Sequence, residues 1–192
     1  MSLRETSFKA TPPADGVLVT TSRLKCVKAH PGDLELLQRI LGDPAMTGFI
    51  GGPTSNENIQ KRLNLWQTNW SEGKSLCGIV EERNSGTRIG SASIHPSMVP
   101  NQSGVEISYM ILPEYQGRGY ATEMARALID YAFHVMRVDR ILITADPDNE
   151  PSHKIAKQLG FRCLGEVEYV HPVLTNRTKH LVWILLLIDW NR

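Results

Sequence analysis

Two glycines one residue apart, Gly117 and Gly119, stand where an alternating apolar run (Val105 to Leu112) gives way to a segment with helical spacing. Glycine admits positive-φ backbone and puts no Cβ in the way of a ligand. The first turn of a helix carries unpaired N–H groups and a partial positive charge. Together these make a cradle for phosphate oxygens. Arg118, between the glycines, either adds a cation or faces solvent. A plain strand-to-helix turn is the structural alternative, because glycine pairs are common punctuation. A carboxylate lies upstream. Along 105–112, Val105, Ile107, Tyr109 and Ile111 share one face, and Glu106, Ser108, Met110 and Leu112 share the other. Burying Glu106 in a central strand is costly unless it meets water or a donor. It therefore belongs either at a wet cleft or at a strand end frayed near Asn101 to Gly104. Downstream, Asn149 and Ser152 open a short helix, where such residues serve as caps.

The elements that hold these residues follow from periodicity. Thr20 to Lys28 alternates weakly and predicts an early strand. His30-Pro31-Gly32-Asp33 is a turn with a helix cap, after which Leu34, Leu37, Ile40 and Leu41 recur at helical spacing until Gly42-Asp43-Pro44. Beyond a glycine-rich loop, Thr54 and Glu57 predict a capping box for a second helix, with Ile59, Leu63, Trp66 and Trp70 on one face. The two tryptophans complete a packing stripe, although either could touch a substrate. Leu76 to Glu82 and Arg88 to His95 are strands joined by the hairpin signal Asn84-Ser85-Gly86. After the glycine loop, apolar residues from Ala121 to Met136 step by three and four, the clearest helix in the chain. Arg140 to Ala145 is a strand, a short helix follows with Gly160 as its stop, and Arg162 to Val170 and Lys179 to Ile188 are the final strands. The passage from Val105 to Ala145 predicts a parallel pair with a right-handed crossover, the other strands being antiparallel. This is one mixed α and β domain over residues 16–192, preceded by a loose arm over 1–15.

A chain of 192 residues, 41% hydrophobic and 21% charged, suits one soluble domain with a full core. A formal net charge of +1 gives no electrostatic reason to expect nucleic acid or a membrane surface as partner. The apolar run Leu181 to Ile188 is too short to cross a bilayer, and Met1 to Ala10 lacks a secretory pattern, so a cytoplasmic setting is expected. Cys26, Cys77 and Cys163 are odd in number and far apart, which predicts no disulfide framework. The six histidines show no ligand spacing, and no metal is expected. His153 is read as solvent-facing, and the other histidines are assigned no functional role.

Three nucleotide patterns compete for the glycine loop. A P-loop requires Gly-Lys-Ser/Thr, which is absent. A dinucleotide fingerprint wants a third glycine, where Thr122 stands, and more than one β-α-β unit around it. The acyl-coenzyme A diphosphate loop, Q/R-x-x-G-x-G/A, is met at every fixed position by Gln116-Gly117-Arg118-Gly119-Tyr120-Ala121. Together with Ile107 to Phe133, Asp146 to Ser152, Gln158-Leu159-Gly160-Phe161 and the opening Thr21 to Leu37, this loop resembles the GCN5-related N-acetyltransferase (GNAT) superfamily, and within it the ribosomal-protein N-terminal acetyltransferase (RimJ/RimL-like) branch. The resemblance covers most of residues 20–188.

The resemblance implies a GNAT fold, a twisted and mostly antiparallel sheet with one splayed parallel pair and helices on both faces. It implies direct acetyl transfer from acetyl-CoA to a primary amine, with no covalent enzyme intermediate; the acceptor is a protein N-terminus or a small molecule, and the chain is a monomer or homodimer. The pantetheine arm would pair with backbone of Met110, Ile111 and Leu112 in the splay. The diphosphate would sit on Gln116, Gly117, Arg118, Gly119, Tyr120, Ala121 and Thr122. Glu106 would be the general base, Asn149 would hold pantetheine, and Ser152 would lie near the leaving sulfur. Many relatives have a tyrosine where this chain has Ala156, which leaves the general acid open between Ser152 and a water. A non-catalytic acyl-CoA-binding protein is the competing reading, and a nicotinamide-dependent oxidoreductase a third.

Overall fold

The computed structural model describes residues 9–170 and 177–190. The stretch expected as one strand from Thr20 to Lys28 is the second half of a hairpin, in which β1 (Val17–Thr20) and β2 (Leu24–Lys28) pair antiparallel. The Thr21 hydroxyl oxygen accepts from the N–H groups of Arg23 and Leu24, closing a turn that no glycine or proline announces. A 3₁₀ turn over Pro31–Asp33, with His30 and Asp33 capping each other, leads into α1 (Leu34–Leu41). After α2 (Pro44–Thr47) comes α3 (Asn56–Glu72). Its cap is Ser55, which accepts from the Asn58 N–H at 3.3 Å, and not the expected pair Thr54 and Glu57. The Thr54 N–H is drawn back to Leu41 O at 3.0 Å, which holds Thr54 in the preceding loop.

The remaining elements are β3 (Leu76–Glu82), β4 (Arg88–Pro96), β5 (Val105–Ile111), α4 (Tyr120–His134), β6 (Arg140–Ala145), α5 (Glu150–Gln158), β7 (Arg162–Val170), β8 (Arg177–Leu186) and α6 (Leu187–Trp190). The last strand stops two residues short of Ile188, because the Leu187 N–H turns back to Asp139 O at 3.0 Å and starts α6.

Eight strands form one sheet in the order β1-β2-β3-β4-β5-β6-β8-β7, and the β5–β6 pair alone is parallel. Strand alternation sorts most buried side chains into two large cores, with a small third cluster of Val99, Leu142 and Val182. One holds Val105, Ile107 and Ile111 against Met124, Leu128 and Ile129 of α4 and Ala156 of α5. The other joins Ile79 and Leu112 to Leu37 and Ile40 of α1 and Ile59 and Leu63 of α3. The tryptophans of α3 part company: Trp70 is buried in the first core, while Trp66 lies half-buried on the second. Ala10 is buried, and its N–H bonds Gly73 O at 2.9 Å, so the described end of the N-terminal arm is docked. No helix among the described residues is long and apolar enough to cross a membrane.

Candidate active site

The parallel ladder between β5 and β6 lasts for two positions, Val105 with Ile141 and Glu106 with Leu142. Beyond them β5 continues to Ile111 and β6 to Ala145, each held on its outer side by β4 or β8. The strands therefore diverge and leave a V-shaped opening in the middle of the sheet. Exposure reports it: Ser108 is exposed and Tyr109 and Met110 half-buried, although β5 is a central strand.

Backbone polarity in the opening is selective. Leu112 has no group to spare, since its N–H goes to Ile89 O and its carbonyl accepts from Tyr115 N–H, both at 2.9 Å. Both backbone groups of Leu112 are therefore engaged within the chain. By alternation Met110 shares Leu112's direction toward β4, so Tyr109 and Ile111 present the edge facing β6. The Ile111 carbonyl is already engaged, accepting from the Gln116 side-chain amide at 2.8 Å. Gln116 thereby ties the end of β5 to the glycine loop.

That loop has the geometry its glycines suggested, with φ of +73° at Gly117 and +77° at Gly119, which is also the N-cap of α4. A Cβ on Gly117 would meet nothing within 4 Å. None of the N–H groups from Gly117 to Thr122 is donated to a described protein group, and the first intrahelical bond starts at Glu123 N–H. Arg118 folds back instead, its guanidinium donating to Glu114 O at 3.0 Å and lying 5.3 Å from the Tyr115 ring centroid. Tyr120 is buried under Arg23, whose guanidinium lies 4.6 Å from the ring centroid, and its hydroxyl donates to Glu82 at 2.5 Å. Arg23 pairs with Glu123 at 2.5 Å and donates to Arg118 O at 3.0 Å, so the β1–β2 turn braces the cradle from outside.

At the vertex of the V sits Glu106, 4% exposed. It is not at a frayed strand end, because it is paired with His95 on one side and Leu142 on the other. Its Oε1 accepts from the Thr144 hydroxyl, while Oε2 is buried with no hydrogen-bond partner among the described residues. An unmatched buried carboxylate oxygen is costly and calls for a donor from water or a ligand. Register places further polar groups on the same face: the Ser93 and Ser108 hydroxyls are 2.7 Å apart, and His180 lies buried on β8. Burial lowers the His180 pKa, and the carboxylates of Asp146 and Glu106 work against it. Thr144, His180 and Ser93 escaped the sequence reading. Alternation on β6 puts Thr144 on Leu142's face, a usable signal, but His180 joins only through the β6–β8 register.

Across the opening, Asn149 caps α5 by accepting the Ser152 N–H at 3.2 Å. Ser152 is half-buried beside the Tyr109 side chain. His153, expected to face solvent, is 3% exposed: its Nε2 meets Pro147 O at 3.1 Å and its Nδ1 accepts from the Trp183 indole at 3.2 Å. It is a core residue joining α5 to β8. Ala156 is fully buried.

A family model described as an acetyltransferase (GNAT) domain matches residues 23–162. The chain belongs to the GNAT family. It is similar to the uncharacterized protein YkkB of Bacillus subtilis (strain 168), 28% identical over 138 residues, which are 72% of this chain and 80% of that protein. It is similar over a shorter stretch to the spermidine N(1)-acetyltransferase of Escherichia coli (strain K12), 39% identical over 62 residues, 32% of this chain and 33% of that one. Among solved structures, RimL, the ribosomal L7/L12 α-N-protein acetyltransferase in complex with coenzyme A, has the same fold, with a TM-score of 0.73 at 18% identity over 91% of this chain and 99% of that chain.

Proposed function

We propose that the chain moves an acetyl group from acetyl-CoA to a primary amine, of a protein N-terminus or a small molecule, by direct attack in a ternary complex. The observation that carries this reading is the parallel ladder that stops after Glu106, with a row of unspent N–H groups at its open end. Phosphate oxygens suit the N–H groups of Gly117 to Thr122, and an amide-bearing arm suits the Tyr109–Ile111 edge. Such an arm brings its thioester between Glu106 and Ser152, and the donor supplies the electrophilic carbonyl. A protonated amine has no lone pair to attack with. Glu106 Oε2, unmatched by any described protein donor, would take that proton, while Thr144 holds Oε1. Ser152 can donate to the departing sulfur from the other side. Two of the named relatives, the spermidine N(1)-acetyltransferase and RimL, are named for amines of very different size, which supports acceptor choice residing outside the donor site.

The test is acetyl-CoA with a panel of amines, following CoA release and identifying products by mass spectrometry. Acetylation of one amine class is expected. Acetyl-CoA binding without transfer to any amine would instead favour the non-catalytic acyl-CoA-binding reading.

A further inference from the structure

Arg23 belongs to the β1–β2 turn, yet its side chain reaches the glycine loop at three points. Nε donates to Glu123 Oε2 at 2.6 Å, Nη1 donates to Arg118 O at 3.0 Å, and the guanidinium lies 4.6 Å from the Tyr120 ring centroid. The partners are themselves fixed. Tyr120 donates its hydroxyl to Glu82 at 2.5 Å, and Glu123 Oε1 accepts from the Thr21 hydroxyl at 2.5 Å and from the Arg23 N–H at 3.1 Å. Arg118 O is the contact with a consequence for a ligand. A peptide group is planar and trans, so its C=O and N–H point in opposite directions. With Arg118 O drawn toward Arg23, the Gly119 N–H points away from the β1–β2 turn, and it is donated to no described protein group. The loop by itself does not fix this peptide. Glycine admits both signs of φ, so turning the 118–119 peptide over costs little locally. Among the described hydrogen bonds, Arg118 O accepts only from Arg23.

We infer that Arg23 is a positioning residue for the diphosphate of the acyl donor: by holding Arg118 O it keeps the Gly119 N–H turned toward the phosphates. This rests on the acetyl-transfer reading. Arginine suits the task, because its planar fork can serve a carboxylate and a carbonyl together while its flat face rests on an aromatic ring. Its charge is matched by Glu123, paired at 2.5 Å, so Arg23 acts on the ligand through the peptide it holds. Without that hold the peptide samples both orientations. The phosphates then meet the Gly119 N–H part of the time and the Arg118 carbonyl oxygen, which repels them, the rest. No bond to the acetyl group is touched, so the effect falls on donor binding and leaves the chemical step alone.

The experiment needs no acceptor. Calorimetry with CoA, and with dephospho-CoA, which keeps the diphosphate and lacks the phosphate on the ribose, is run on the wild type, Arg23→Gln, Glu123→Gln and the double variant. One charge-assisted hydrogen bond to phosphate is at stake, so Arg23→Gln should weaken CoA binding roughly 10- to 100-fold. Dephospho-CoA should lose the same factor to within about twofold. Glu123→Gln should lose less than about threefold, since Arg23 stays seated on Tyr120 and Arg118 O, and adding Arg23→Gln to it should bring the full loss. Arg23→Lys keeps the charge without the fork and should lose about tenfold or more, which covers the case of a poorly folded glutamine variant. Wild-type affinity in the folded Arg23 variants overturns the peptide hold. So does a loss confined to CoA, the mark of direct contact with the ribose phosphate, and so does a loss that vanishes in the Glu123→Gln background, the mark of repulsion by an unpaired carboxylate. If the wild type binds neither ligand, the acetyl-transfer reading itself has failed; if it binds both and the Arg23 variants match it, the peptide hold alone has failed.

Discussion

Replacing Gly119 by valine separates the phosphate cradle from the fold. Gly119 has φ of +77° and caps α4, and a Cβ there would first meet the Arg23 guanidinium at 3.6 Å, an ordinary contact. Damage to the fold is therefore confined to backbone strain, roughly 1–2 kcal/mol for an L-residue in left-handed conformation, with a β-branched residue toward the upper end. Against a typical stability of about 5–15 kcal/mol, the variant should remain folded. Ligand binding has no such margin. If the left-handed backbone persists, the isopropyl group crowds the Arg23 guanidinium that holds Arg118 O, and the loop shifts. If it relaxes, the N–H groups at the start of α4 turn away. Either way at least two charge-assisted hydrogen bonds are lost, at roughly 1.5–3 kcal/mol each, so acetyl-CoA affinity should fall more than about 100-fold. Gly119→Ala should show similar strain with a smaller loss of affinity. Calorimetry with acetyl-CoA, paired with urea denaturation of the same samples, measures both effects. A folded Gly119→Val with wild-type affinity would refute the cradle and place the phosphates elsewhere.

Glu106→Gln should reduce turnover by on the order of 10²- to 10⁴-fold with little change in acetyl-CoA affinity, and the deficit should shrink at high pH, where more amine is already neutral; equal turnover at neutral pH would remove Glu106 from the chemistry. Calorimetry should find binding of acetyl-CoA and little of NAD or ATP, because the loop lacks the P-loop lysine and Thr122 replaces the third glycine of the dinucleotide pattern; a preference for NAD would revive the oxidoreductase reading. The lowered His180 pKa means that the unfolded chain takes up this proton at a higher pH than the folded one, so stability should fall as pH drops below about 6.5 toward the folded value. Urea midpoints from pH 7 downward should decline less steeply in His180→Gln, and parallel declines would show that this imidazole does not couple to folding.

The glycine loop, the helix after it and the faces of β5 were legible because each depends on neighbours in sequence. Positive φ at Gly117 and Gly119 requires no distant contact, the apolar steps of α4 repeat within one helix, and alternation assigns Glu106 and Tyr109 to opposite faces wherever β5 goes. Ser152 and Asn149 were legible as cap residues for the same local reason. The early hairpin was harder to read, since a threonine hydroxyl rather than a glycine makes its turn. Other features had no local signature. That the β5–β6 ladder ends at Glu106 depends on how two strands separated by a helix diverge under the pull of β4 and β8. Thr144 and His180 gather around Glu106 through cross-strand register, and His153 is buried because Trp183, 30 positions away, offers its indole N–H. Sequence alone thus determined the local conformation of the loop, its helix and the caps, and which way each side chain would point from its own element. Tertiary structure decided where the sheet opens and which groups meet there, because strand divergence and register are set by packing among elements that no local pattern connects.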